Sequence, residues 1–232
     1  MLQTRIMAPV ESNLAGMPEP EPGAAGAPAP LYFRAAAVLR HRMGTDGAGV
    51  TTLVAAHGCP LRCRHCLNPQ TLKPDTPVTV YTPESLLAAV QCDQVYFLAT
   101  GGGITFGGGE PLLYADFIRR FRQIAPPDWK ICIETSLQAP AADVLKAAEA
   151  ADRLIVDIKD MNPEIYRRYT GGGSEPMRRN LTAAAGHLGN DHIQVRVPLI
   201  PGYNTEADRE QSIRTLHEMG LFGIDLFEYI VR

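Results

Sequence analysis

Three cysteines constrain this chain more than any other feature. Cys59, Cys63 and Cys66 lie in the run His57-Gly-Cys-Pro-Leu-Arg-Cys-Arg-His-Cys-Leu-Asn68, with the spacing C-x3-C-x2-C. Three thiolates from one short loop can hold three irons of a 4Fe–4S cube, leaving the fourth iron open to a small chelating ligand. Structural zinc asks instead for a closed set of four ligands. No second cysteine pair follows, although His57 or His65 could complete such a set. A disulfide framework fits poorly, because five cysteines is an odd number and three of them share one loop. Cys132, between Ile131 and Ile133, reads as a small buried hydrophobe, and Cys92 carries no motif.

The rest of the composition bounds the setting. At 232 residues, 45% hydrophobic and 20% charged, the chain can bury one sizeable core. A formal charge of −3 offers no nucleic-acid surface and no polybasic membrane face. No apolar run approaches the roughly 18 residues of a membrane span, and no apolar stretch of a signal peptide follows Met1–Met7, so a cytoplasmic protein is expected. Residues 1–30, rich in Pro, Ala and Gly, read as a disordered leader before a folded unit at 31–232.

From Leu31 onward, strand-like and helix-like runs alternate. Strands are expected at Val50–Ala56, 103–106, 130–134, 153–158, Ile193–Leu199 and 224–229. Helices are expected at 84–90, 114–123, Ala141–Ala150, 163–169, 178–188 and 205–219. Thr82 with Pro83 marks one helix start, and Thr205 with Asp208 resembles a capping box with Asp in place of Glu. Such alternation predicts βαβ units and a parallel α/β sheet of about six strands, a partial (β/α)6 barrel open on one side.

The chemistry-bearing residues sit at the ends of these strands, the edge that builds active sites in parallel β/α folds. Gly101-Gly-Gly-Ile-Thr-Phe-Gly-Gly-Gly-Glu-Pro111 could be a tight strand-to-helix turn or an anion loop, yet it lacks the Gly-Lys-Ser/Thr ending of a phosphate loop. Asp157 and Lys159 share one strand face, since Ile158 points the other way. Arg196, flanked by Val195 and Val197, needs an anionic partner if buried; an acidic side chain or a ligand carboxylate would serve.

Together these pieces resemble the radical S-adenosylmethionine superfamily, and within it the activating enzymes of glycyl-radical enzymes, the pyruvate formate-lyase activase group. The likeness covers residues from about 44 to 229. It rests on Gly44-Thr-Asp-Gly-Ala-Gly49, the cysteine triplet with Asn68, Gly101-Gly-Gly-Ile-Thr105, Gly108-Gly-Glu-Pro111, Glu134-Thr135, Asp157-Ile-Lys-Asp-Met-Asn162, Arg196 and Pro201-Gly202. The resemblance implies one 4Fe–4S cluster on Cys59, Cys63 and Cys66, and S-adenosylmethionine as cofactor. It implies that His65, Cys66 and Leu67, Gly108, Gly109 and Glu110, Glu134, and Asp157, Ile158 and Lys159 border that cofactor. Lys159 and Arg196 would hold its carboxylate, and the strand end at Glu110 its amino group. It further implies cleavage to a 5′-deoxyadenosyl radical, a glycyl-radical enzyme as macromolecular substrate, a flavodoxin or ferredoxin as electron donor, and a monomer working where oxygen is low.

The chain departs from the pattern at four places. His65 replaces an aromatic residue before the third cysteine, and Glu134-Thr-Ser-Leu137 replaces Asp-Thr-Asn-Gly. Thr51 replaces an arginine, and Ile230 replaces a histidine. Two other classes compete with the activase: a radical S-adenosylmethionine enzyme acting on a peptide or small molecule, and a non-catalytic zinc-binding module.

Overall fold

In the computed structural model, residues 31–229 are described; the expected leader at 1–30 and the departure at Ile230 lie outside them. The eight strands are β1 (Phe33–Met43), β2 (Val50–Ala56), β3 (Thr79–Tyr81), β4 (Gly103–Gly108), β5 (Lys130–Thr135), β6 (Arg153–Asp157), β7 (Ile193–Leu199) and β8 (Ile224–Glu228). The seven helices are α1 (Pro83–Val90), α2 (Gln94–Thr100), α3 (Ala115–Ile124), α4 (Ala141–Ala150), α5 (Pro163–Thr170), α6 (Glu175–Leu188) and α7 (Glu206–Glu218). They form one sheet in the order β3-β1-β2-β4-β5-β6-β7-β8. Neighbours from β2 to β8 are parallel, so the six expected parallel strands are present. β1 pairs antiparallel with β2 and with the short β3, and the sheet does not close into a barrel.

β1, β3 and α2 add to the expected elements. β1 reads Phe-Arg-Ala-Ala-Ala-Val-Leu-Arg-His-Arg-Met, and its alanines carry little strand preference. Pairing with β2 supplies what the local sequence lacks.

Strand periodicity sorts side chains to two faces. Val54, Ile104, Phe106, Ile131, Ile133, Leu154, Val156, Val195 and Val197 face the helices. There they pack on Phe117, Ile118 and Phe121 of α3, Val144 of α4, Leu181 of α6 and Leu216 of α7. Trp129 is fully buried and meets Phe97 edge-on, ring centroids 5.0 Å apart. Each such large apolar side chain contributes about 1.5–3 kcal/mol by leaving water. The alternate positions, among them Thr105, Gly107, Cys132, Glu134, Asp157 and Arg196, line the opposite face, which is polar.

Helix starts are fixed locally. Thr82 Oγ1 accepts from Ser85 N (3.1 Å) while Ser85 Oγ accepts from Thr82 N (2.8 Å), with Pro83 in the first turn. Thr205 and Asp208 exchange the same pair of bonds at the start of α7, so Asp does serve in place of Glu. Asn162 Oδ1 accepts from Glu164 N (2.9 Å) and caps α5.

Candidate radical-chemistry site

The carboxyl ends of the parallel strands gather the site. The cysteine loop leaves β2 and is anchored on three sides. Gly58 N donates to Thr71 O (2.8 Å), and Glu110 N donates to Gly58 O (2.8 Å). Arg62 N donates to Thr170 O (2.9 Å), and Arg64 N to Tyr169 O (3.0 Å), which lays the loop along the end of α5. Cys59, Cys63 and Cys66 are all unpaired and partly buried. Burial pushes the Cys59 thiol up to about 12, helped by the Glu110 charge, and raises Cys63 against the pull of Lys159. Thiols so desolvated need a nearby cation to become thiolates. Among the described residues no three His, Cys, Asp or Glu side chains gather to hold a single metal ion. Cys132 is buried, as its setting between two isoleucines predicts.

The β4 end faces this loop. Asn68 Nδ2 donates to Gly108 O (3.2 Å), tying the two segments together. Gly108 has φ +87°, and a Cβ there would come within 2.7 Å of Ala55. A Cβ on Gly109 would stand 2.2 Å from Gly58 O. Glu110 is fully buried, and its carboxylate accepts from Thr135 Oγ1 (2.6 Å), Ser136 Oγ (2.6 Å), Ser136 N (3.0 Å) and Leu112 N (3.2 Å). Three of these four bonds come from the β5 end and one from its own turn, while burial still raises its carboxyl above the ordinary range.

On β5 to β8 the site is a set of ion pairs. Lys159 Nζ donates to Asp157 Oδ2 (2.9 Å) and to the Tyr229 hydroxyl (3.3 Å). Lys159 holds φ +63°, a left-handed conformation costly for a side chain of its size, which turns the ammonium back over Asp157. Arg196 stands 2.9 Å from Glu134 and 3.6 Å from Asp225, and also donates to Thr45 O. The anionic partner expected for Arg196 is, in this structure, an acidic side chain. Burial works against both cations, yet Asp157 lifts Lys159 well above its ordinary value and Glu134 lifts Arg196. Burial alone would raise Asp157; Lys159 and Arg196 outweigh it and hold the carboxyl low. Burial raises Glu134 despite Arg196. Ile158 sends its side chain into the apolar core, so only its backbone reaches this edge. His65 packs against Tyr169 and Tyr203, and Leu67 is exposed.

Tyr169, Tyr229, Asp225 and the Arg42–Asp46 pair also line this region without having been expected. Only Asp46 falls in a stretch that carried the resemblance, Gly44-Thr-Asp-Gly-Ala-Gly49. The cue for Asp225 was its register opposite Arg196, which exists only once β7 and β8 pair.

Among the buried oxygens without a hydrogen-bond partner are Asp157 Oδ1 and Asn68 Oδ1. Such acceptors suit a ligand rich in N–H and O–H donors.

An open parallel α/β sheet with a three-cysteine loop after its first parallel strand defines a class, and the chain belongs to the Radical SAM superfamily, whose sequence model matches residues 53–216. The resemblance to activating enzymes extends to individual relatives. The chain is 26% identical to the (2S)-3-sulfopropanediol dehydratase activating enzyme of Klebsiella oxytoca, over 75% of this chain and 74% of that one. It is 30% identical to the pyruvate formate-lyase-activating enzyme of Staphylococcus aureus, over 72% of this chain and 68% of that one. Streptococcus suis SuiB bound to S-adenosylmethionine shares the fold, with a TM-score of 0.60 and 11% identity. That match covers 78% of this chain, which spans about two-fifths (40%) of SuiB.

Proposed function

We propose that this protein activates a glycyl-radical enzyme, using one 4Fe–4S cluster on Cys59, Cys63 and Cys66 and S-adenosylmethionine beside it. The observation that carries this reading is the convergence of the cysteine loop, the Gly108-Gly109-Glu110 strand end and the Asp157–Lys159 pair on one edge of the sheet, in a chain whose relatives are activating enzymes. When bound, the cluster supplies the electron that cleaves S-adenosylmethionine to methionine and a 5′-deoxyadenosyl radical, which takes hydrogen from a glycine of the partner.

The residues divide the binding work by charge. On the polar face three paired cations, Arg42, Lys159 and Arg196, meet four carboxylates, Asp46, Glu134, Asp157 and Asp225. A ligand carrying a sulfonium, an ammonium and one carboxylate has net positive charge, opposite in sign to the carboxylate surplus of this set. Lys159 keeps one of its three N–H donors free of Asp157 and Tyr229, and Arg196 keeps the Nη1 end of its fork. These donors serve the methionyl carboxylate. The free oxygens of Asp157 and Asn68 accept from the ligand's amino or hydroxyl groups. Glu110 holds the β4 and β5 ends in register, while the adjacent backbone of Gly108 and Gly109 borders the ligand. His65 and Leu67 flank it from the cysteine loop, and the gap between β3 and β8 admits a glycine loop of the partner.

The test is anaerobic reconstitution with iron and sulfide, followed by an assay for 5′-deoxyadenosine from S-adenosylmethionine and dithionite. Mixing with a glycyl-radical enzyme should then give the electron paramagnetic resonance doublet of a glycyl radical. Cleavage without any such doublet, with a peptide or small molecule consuming the radical, would move the assignment elsewhere in the superfamily. One zinc and no labile sulfide would end the enzyme reading.

A further inference from the structure

We propose that the outer face of the cysteine loop is the docking surface for an acidic one-electron donor protein; the proposal rests on the function proposed above. Arg62 and Arg64 flank Cys63 in a segment held against the end of α5 by the Arg62–Thr170 and Arg64–Tyr169 backbone bonds. Cys63 packs inward against Tyr169, Ile200 and Tyr229, while Arg62 and Arg64 are exposed. Arg167 and Arg168, in the last turn of the same helix, are exposed as well.

These four guanidinium groups form no ion pair among the described residues. Arg62 donates to the carbonyls of Cys59 (2.5 Å) and Leu61 (2.8 Å), and Arg168 donates to Tyr203 O and lies over the Tyr203 ring. Asp208 feels the Arg168 charge without pairing with it. The patch opposes the sign of the whole chain, which carries −3. Arg167 and Arg168 also suit the negative end of α5, but Arg62 and Arg64 have no helix to serve. A cluster of one sign at a surface steers a partner of the other sign.

The position selects an electron donor over the substrate protein. The substrate must reach the polar face of the sheet, toward which the thiols turn. A donor on the arginines sits one loop thickness from Cys63 and leaves that face clear. One electron passes from the reduced donor to the cluster, the donor is oxidised by one electron, and no atoms move.

Arg64 and Arg167 are exposed and make no side-chain hydrogen bond or ion pair among the described residues, so reversing them spares the fold. The probe is an acidic flavodoxin, reduced and mixed with the reconstituted holoenzyme. For Arg64→Glu/Arg167→Glu at low ionic strength, we expect flavodoxin affinity and the rate of cluster reduction to fall about tenfold or more, and the salt dependence to vanish. Arg64→Gln/Arg167→Gln should fall in between. Formation of 5′-deoxyadenosine driven by photoreduced deazaflavin, which needs no docking, should be unchanged. Wild-type affinity and rate in both variants would overturn the proposal while leaving the enzyme reading intact. So would an unchanged flavodoxin rate together with lost radical transfer to a glycyl-radical enzyme, since the patch would then hold the substrate. If the wild type made no 5′-deoxyadenosine with deazaflavin, the functional reading would fail, and salt-dependent flavodoxin binding would still judge the surface.

Discussion

Arg196 on β7 reaches across β6 to set its guanidinium 2.9 Å from the carboxylate of Glu134 on β5. Both side chains are largely shielded, so neither charge is well hydrated without the other. Arg196→Met should therefore destabilise the fold by about 3–5 kcal/mol, because it strands a buried carboxylate. Arg196→Met/Glu134→Gln should recover most of that loss in chemical denaturation. If Arg196 also holds the methionyl carboxylate, the double variant should still bind S-adenosylmethionine about 1.5–3 kcal/mol more weakly. Recovered affinity would make Arg196 a structural residue.

Lys159 separates more cleanly into two roles. Lys159→Met should weaken S-adenosylmethionine binding by about 1.5–3 kcal/mol and leave Asp157 unpaired. Asn68→Ala removes one bond to Gly108 and one free acceptor, so a loss of about 1–2 kcal/mol in affinity is expected with the fold retained. Isothermal titration of the reconstituted protein reads both, and unchanged affinity in both would move the ligand away from this edge.

The pH dependence of stability follows from the carboxyls. Glu110 is raised above the unfolded value of about 4.3 by burial, so the folded chain binds more protons than the unfolded one just above that value. Stability must then fall as pH rises from about 4.3 through the folded value. Glu134 acts in the same direction. Asp157, held low, acts oppositely: its contribution is present above about 3.9 and is lost as pH falls through its folded value. Lys159, held high, contributes fully below about 10.4 and loses that contribution only as pH rises through its folded value. Denaturation of the cluster-free protein should show maximal stability on the mildly acidic side. Glu110→Gln should flatten the fall toward neutrality; a slope identical to wild type would contradict the assignment.

The cluster ligands give a direct comparison. Cys59→Ala, Cys63→Ala and Cys66→Ala should each prevent cluster assembly, measured as iron and labile sulfide per chain. Cys92→Ala should leave it intact. Cys132→Ala should also keep the cluster, at a stability cost of about 1 kcal/mol for the lost packing of a buried sulfur. A requirement for Cys92 equal to that for Cys63 would overturn the ligand set.

What could be read from sequence was whatever a local pattern encodes. The six parallel strands announced themselves as apolar runs such as Leu154-Ile-Val156, and Thr82 and Thr205 as caps. β1 was illegible because Ala35, Ala36 and Ala37 prefer no strand, and only β2 makes them one. Arg196 could be marked as needing an anion, but choosing Glu134 and Asp225 requires the register of β5 through β8. Glu110 was legible as part of a motif, while its enclosure by Thr135 and Ser136 is a long-range contact that no spacing records. The arginines around Cys63 were visible as letters, yet their common exposure depends on the loop lying against α5.

Gly109 tests how tightly the two motifs are coupled. Its amide donates to Ala56 O (3.0 Å), and an added Cβ would stand 2.2 Å from Gly58 O and 2.7 Å from Ala56 O. Those atoms are backbone, so no side-chain rotation relieves the clash, and Gly58 directly precedes Cys59. Gly109→Ala must push the start of the cysteine loop outward and break the Glu110 N to Gly58 O bond. Overpacking of this kind costs about 1–3 kcal/mol. The expected result is a folded protein with all three cysteines present and iron incorporation sharply reduced. Gly173→Ala, at a position where a Cβ meets nothing within 4 Å, is the control and should load normally. Full iron incorporation in Gly109→Ala would show that the strand end and the cysteine loop are set independently.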